Sequence, residues 1–137
     1  MTQLTPRMKN WIEYFGGHIG TATKRGFPTT IVVETAKVEG IDIIKFPLTD
    51  AQINHIKDNI SENPQVAIGP GGLGCVRAPY QLKGTAKING KDLTVKVNEI
   101  YCTKPGPEAG KRLDVLPYGE VEEFDQSHWK DLTPPKE

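Results

Sequence analysis

The chain has no charge excess, almost no cysteine, few aromatics and no long apolar run, and each shortage removes a class of function. Its 17 basic residues balance 17 acidic ones among 137. Neither sign gathers into a block, so the electrostatic footprint demanded by nucleic acid or an anionic membrane surface is missing. No stretch approaches the roughly 18 consecutive apolar residues of a membrane-spanning helix. The first residues, Met1 to Pro6, lack the apolar core of a signal peptide, which gives the expectation of a cytoplasmic protein. The 2 cysteines, Cys75 and Cys102, have neither C-x-x-C spacing nor an adjacent histidine. No zinc site or redox pair is signalled, and both are expected as unpaired thiols in or near the core.

What is present reads as one domain over residues 1–137, with a core over about 8–101 and a C-terminal extension over about 103–137. A chain of this size leaves much surface exposed and gains from dimerising. Thr5-Pro6 followed by Met8, Trp11, Ile12 and Phe15 predicts a capped amphipathic helix closed by Gly16-Gly17, a plug for something apolar. His18 to Thr23, Thr29 to Val38 and Ile41 to Phe46 read as three strands joined by short turns, which should pair as an antiparallel meander. Thr49-Asp50-Ala51-Gln52 is a capping box opening a second helix, with Ile53, Ile56 and Ile60 on one face and Asn63-Pro64 as its stop. Gln65 to Ile68, Tyr80 to Ile88 and Leu93 to Tyr101 supply three more strands, the last two joined across Asn89-Gly90, a strong hairpin signal. Six strands in hairpin succession with two or three helices predict a mainly β architecture, a β-barrel with flanking helices.

Gly69-Pro70-Gly71-Gly72-Leu73-Gly74 matches the dinucleotide fingerprint G-x-G-x-x-G. That fingerprint works only between a buried parallel strand and a helix whose N-terminus receives the pyrophosphate. Here a strand precedes the glycines, but Cys75-Val76-Arg77-Ala78-Pro79-Tyr80 follows, with a proline and no helical stripe. The glycines are therefore read as a flexible loop between two barrel strands, some of them allowing a backbone to pass close to a ligand or subunit. The better anion site is the start of the second helix, where unpaired backbone N–H groups and the helix dipole meet Thr49 and Gln52, with His55, Lys57 and Lys45 as nearby cations. Against this stands the plainer reading, a capping box that satisfies only its own helix.

Taken in order, His18-Ile19-Gly20-Thr21-Ala22-Thr23, Gly26-Phe27-Pro28-Thr29-Thr30-Ile31-Val32-Val33, Ile41 to Phe46, a helix ending in Asn63-Pro64-Gln65-Val66, and Gln81-Leu82-Lys83-Gly84-Thr85-Ala86 resemble the FMN-binding split-barrel family. That family includes pyridoxamine 5′-phosphate oxidase and small bacterial FMN-binding proteins. The resemblance implies a six-stranded antiparallel split β-barrel that forms a homodimer, with one FMN per chain at the subunit interface. Carried onto this sequence, it implies cofactor contacts from Thr30, Val32 and Glu34 on the second strand, and from Phe46, Pro47, Leu48, Thr49, Gln52 and Ile53 where the third strand meets the helix. It places Tyr80 and Gln81 near the dimer interface. The oxidases carry cations at the helix start where this chain has Asp50 and no early lysine, so vitamin B6 oxidation is not expected and Arg77 becomes the candidate cation from across the dimer. Trp129 is a candidate for stacking on the partner's flavin or packing back on the barrel, while His18 and His128 are candidate proton donors.

The function so implied is FMN-dependent electron or hydride transfer, with NAD(P)H or a redox protein as donor. The alternatives are an FMN electron carrier or flavin store, or a split barrel that binds haem, deazaflavin or no cofactor. No residue is singled out for catalysis and none as a metal ligand.

Overall fold

The computed structural model describes residues 2–73, 76–77, 80–103 and 109–113. Helix α1 (Pro6–Phe15) starts where the sequence says: the Thr5 hydroxyl accepts the Met8 N–H at 3.2 Å and Pro6 occupies a first-turn position, where its missing N–H costs nothing. It ends at Gly16, whose φ of +65° no β-carbon residue adopts comfortably. Strands β1 (Gly17–Ala22), β2 (Pro28–Val33), β3 (Lys37–Glu39) and β4 (Ile43–Pro47) follow, then α2 (Asp50–Glu62) and β5 (Gln65–Pro70). Two short strands, β6 (Gly72–Leu73) and β7 (Val76–Arg77), precede the long hairpin of β8 (Tyr80–Asn89) and β9 (Asp92–Cys102).

Seven strands form one antiparallel sheet in the order β2-β1-β5-β8-β9-β4-β3, and β6 and β7 pair apart from it. The mainly β split-barrel expectation holds, with two corrections of detail. The Thr29 to Val38 run is two strands, so the main sheet has seven strands and not six. The expected three-strand meander also fails, because β2 pairs only with β1 while β3 and β4 lie at the opposite edge. The register gives the reason. Gly17 faces Val33, and the residue before it is the Gly16 helix cap, so β2 has no partner beyond Val33. A β-carbon on Gly16 would land on the Val33 carbonyl and the Glu34–Thr35 backbone. The chain leaves the ladder at Glu34 and resumes against β4, where Lys37 faces Lys45 and Glu39 faces Ile43.

The inner face of the sheet is apolar and the helices fill it. Met8, Trp11 and Ile12 of α1 and Ile56 and Ile60 of α2 are buried against Ile19, Ile31, Ile44, Phe46, Leu82 and Val95, each large side chain contributing roughly 1.5–3 kcal/mol. One buried polar pair joins helix to sheet: Asn59 Nδ2 donates to Thr21 Oγ1 at 3.0 Å, and that hydroxyl donates to the Thr29 carbonyl at 3.2 Å. On β9 the apolar positions switch parity, from Leu93, Val95 and Val97 to Ile100 and Cys102, all buried. The register explains it: Val97 faces Gly84 and Glu99 faces Lys83, so Asn98 is an extra residue, a bulge that keeps both sets inward. Cys102 is buried in the core, as expected, whereas Cys75 lies outside the described residues.

The glycine segment is not a loop throughout: Gly69 and Pro70 complete β5 and Gly72 opens β6. Gly71 meets the end of α1. Its N–H donates to the Gly16 carbonyl at 3.0 Å, its carbonyl accepts the Trp11 indole N–H, and a β-carbon there would stand 2.5 Å from the Phe15 carbonyl oxygen. The backbone that passes close is this chain's own helix.

Candidate functional site

The β2 strand is one free edge of the sheet, and its parity decides what it offers. The Val32 carbonyl accepts a hydrogen bond from Gln52 Nε2 at 2.8 Å, so the Val32 backbone points away from β1. Every second residue of an antiparallel strand shares that direction. The N–H and C=O of Thr30 and the N–H of Val32 therefore face outward along the edge, while Pro28, which has no N–H to offer, sits at its start. The Thr30, Val32 and Glu34 side chains are exposed, Val32 at 55%. His18 lies opposite Val32 across β1 and is exposed on the same face.

Across from this edge stands the junction of β4 and α2. Leu48 is buried and its N–H donates to the Lys91 carbonyl at 2.8 Å, which fixes the turn into the helix against the β8–β9 hairpin tip. The capping box is complete: Thr49 Oγ1 accepts the Gln52 N–H at 3.1 Å and Gln52 Oε1 accepts the Thr49 N–H at 2.9 Å. This leaves Asp50 and Ala51 as the first-turn N–H groups with no acceptor within the helix. Gln52 thus does two jobs, its oxygen capping α2 and its amide nitrogen tying α2 to β2. Gln52 thereby ties the backbone edge of β2 to the start of α2, where β4 ends, and the strip between them is the candidate groove.

Of the residues expected at a cofactor site, Thr30, Val32, Glu34, Pro47, Leu48, Thr49, Gln52 and Ile53 are gathered here. Phe46 is fully buried on the inner face, so only its backbone is available. Tyr80 is 2% exposed, and with Gln81 it sits at the far end of β8, eight residues from Ile88, which faces Leu93. Ile88 is roughly 26 Å away along the strand at about 3.3 Å per residue, but the pairings of Val32 with His18, His18 with Gly69 and Ile68 with Leu82 put Gln81 in the row of Val32, three strand spacings or roughly 14 Å away within one chain. The side chain of Arg77, and all of His128 and Trp129, lie outside the described residues. Of the nearby cations expected, Lys45 is held by Glu39 at 3.1 Å. The cation that reaches the helix start is Lys91, 3.5 Å from Asp50. Sequence reasoning missed it because only the pairing of Pro47 with Asp92 brings the Asn89-Gly90 turn beside Thr49. Among the described residues no three His, Cys, Asp or Glu side chains converge on a metal position, and no helix is long and apolar enough to cross a membrane.

No protein-family model matches the chain. Its fold is shared by HupZ of Group A Streptococcus, with a TM-score of 0.60 and 20% identity over 78% of this chain and 99% of that one. It is shared too by a pyridoxamine 5′-phosphate oxidase-like protein of Lactobacillus delbrueckii, with a TM-score of 0.62 and 13% identity over 74% and 96% of the two chains. An FMN-binding protein of Syntrophomonas wolfei superposes with a TM-score of 0.54 and 11% identity over 80% and 86%. The molecule is a split barrel of the pyridoxamine 5′-phosphate oxidase-like type. In sequence it is 32% identical over 135 residues to the uncharacterized protein MJ0282 of Methanocaldococcus jannaschii, covering 82% of this chain and 89% of that protein, and it belongs to the same family.

Proposed function

We propose that the protein binds FMN without a covalent bond in the groove between β2 and the β4–α2 junction, as a homodimer, and uses it for electron or hydride transfer. The observation that carries this reading is the bridge from Gln52 to the Val32 carbonyl at 2.8 Å. It holds an unpaired strand edge, rich in directional N–H and C=O groups, opposite a helix start. A flavin ring needs such in-plane partners along one edge, and Val32 and Pro47 offer apolar surface beside them. The first-turn N–H groups of Asp50 and Ala51 and the Lys91 ammonium fit the cofactor phosphate once Lys91 turns from Asp50. Arg77 enters this reading from a second subunit, and Gln81, in the row of Val32 and His18, stands near that interface. When bound, FMN would supply the redox chemistry, and the residues of the chain place it; His18, paired with Val32 on β1, is a group able to pass a proton there. The name of the Syntrophomonas wolfei protein supports FMN.

The test is the visible spectrum of freshly purified protein, with mass identification of any released chromophore. A yellow protein that releases FMN is expected. A colourless protein that takes up no added FMN, or one that releases haem or a deazaflavin, overturns the proposal while leaving the fold intact. Steady-state consumption of NAD(P)H by the FMN-loaded dimer then separates an enzyme from a carrier.

A further inference from the structure

On the outer face of the sheet lies a cleft of about 350 Å3 that adjoins the β2 edge, its Gly20 facing Thr30 and its Ala22 facing Pro28. Gly20, Ala22 and Ala67 form its small-residue floor, with Gln65, Lys83 and Glu99 around it. Gly20, Ala67, Lys83 and Glu99 face one another in register across β1, β5, β8 and β9. Beside it, Lys87 and Lys96 are exposed on the same face of the hairpin, which makes that face basic.

Glu99 belongs both to the cleft and to an anchor that holds the last described residues. Arg112 lies 3.5 Å from Glu99 and its guanidinium 5.8 Å from the Tyr101 ring, Lys83 is 5.0 Å from the same ring, and the Tyr101 hydroxyl donates to Glu99 at 3.1 Å. The backbone is fixed as well: Cys102 N–H donates to the Lys111 carbonyl, Leu113 N–H to the Ile100 carbonyl, both at 2.8 Å, and Leu113 is 2% exposed. The chain therefore continues from a point pinned beside the cleft wall. Beyond it are 24 residues carrying seven acids against two lysines, a net −5, with Leu116, Tyr118, Phe124 and Trp129 among them. Because the whole chain is neutral, residues 1–113 carry +5.

We infer that the acidic, aromatic-bearing segment 114–137 docks on this outer face of its own subunit and fills the cleft. Its carboxylates meet Lys83, Lys87 and Lys96 and its apolar side chains meet the Gly20–Ala22–Ala67 floor. At no more than about 3.6 Å per residue, a few extended residues span the distance from Leu113, and opposite net charges held on one chain act at high effective concentration.

Acrylamide quenching of tryptophan fluorescence in the full chain without FMN tests this, because Trp11 is 2% exposed and Trp129→Phe identifies the remaining signal. In the unaltered chain Trp129 should be quenched less than in a synthetic peptide of residues 114–137. Ala67→Phe, which fills the floor from the solvent side, and Lys83→Glu should each raise its quenching to the peptide value with the melting temperature preserved. Quenching at the peptide value in the unaltered chain, or protection indifferent to both variants, overturns the inference. So does protection that appears only with added FMN or grows with protein concentration, which assigns the segment to the flavin or to a second copy. The visible spectrum of the purified protein tests the cofactor reading separately from the quenching.

Discussion

The two edges of the seven-stranded sheet are treated oppositely. At one end β3 is three residues long, its Val38 N–H is taken by the Glu13 carboxylate at 3.1 Å, and Glu39 is paired with Lys45. At the other end β2 runs for six residues with Val32 exposed, and among the described residues its outward backbone is met by the Gln52 amide alone. Sheets normally blunt their edges by shortness, charge or cover, because an open edge pairs with whatever arrives. Here one edge has all three devices and the other is guarded only by Pro28 and Gln52. An edge left open beside a helix start offers a planar molecule in-plane hydrogen-bond partners, and that contrast is why the proposed flavin is placed at β2.

Substitutions that disturb the open edge should act in order of how much structure they move. Gly16→Ala comes first. It forces a β-carbon into a φ of +65° and onto the Val33 carbonyl, so α1 and the end of β2 must separate. The expected loss is about 3 kcal/mol or more, read by urea unfolding; a loss under about 1 kcal/mol would show that the junction yields. Gln52→Leu comes next, because it removes half of the capping box and the tie to Val32 together. About 1–2 kcal/mol of stability and most of the FMN affinity should go, measured by thermal unfolding and by flavin titration. Unchanged flavin affinity in a folded variant would sink the groove. Val32→Asp should cost little stability at a side chain 55% exposed, yet weaken FMN by about tenfold, or 1.4 kcal/mol, through charge repulsion and lost apolar cover. It tests the site without touching the fold.

How much of this the sequence disclosed depends on the range of the interaction. Both caps were legible, since Thr5 to Met8 and Thr49 to Gln52 are bonds within one turn, and so was the Asn89-Gly90 turn. The strand-and-helix order was legible from periodicity and from the family resemblance. The break after Val33 was not, because nothing in Thr29 to Val38 marks it; it arises where β1 runs out at the Gly16 cap. The Asn98 bulge shows only as a slipped alternation, and Lys91 reaches Asp50 only through the pairing of β4 with β9. The glycine run misled most, since its pattern signals a ligand loop while Gly71 serves the packing of Trp11 and Phe15.

The closed edge should respond least. In Glu13→Ala the Val38 N–H loses its carboxylate acceptor, but this bond is exposed and water can replace it. No buried donor is orphaned, and the loss should be about 0.5 kcal/mol or less. What should change is association. With Glu13 gone β3 presents a free N–H between the charges of Lys37 and Glu39, so light scattering on heating should rise sooner than in the unaltered chain although the unfolding midpoint barely moves. If scattering is unchanged, the shortness of β3 and the charges of Lys37 and Glu39 protect it without Glu13, and the contrast between the edges reduces to strand length and charge. If it rises, Glu13 is the guard of that edge, and its counterpart at β2 is a single uncharged glutamine, which takes only the Val32 carbonyl and leaves the Thr30 N–H and C=O and the Val32 N–H to a ligand.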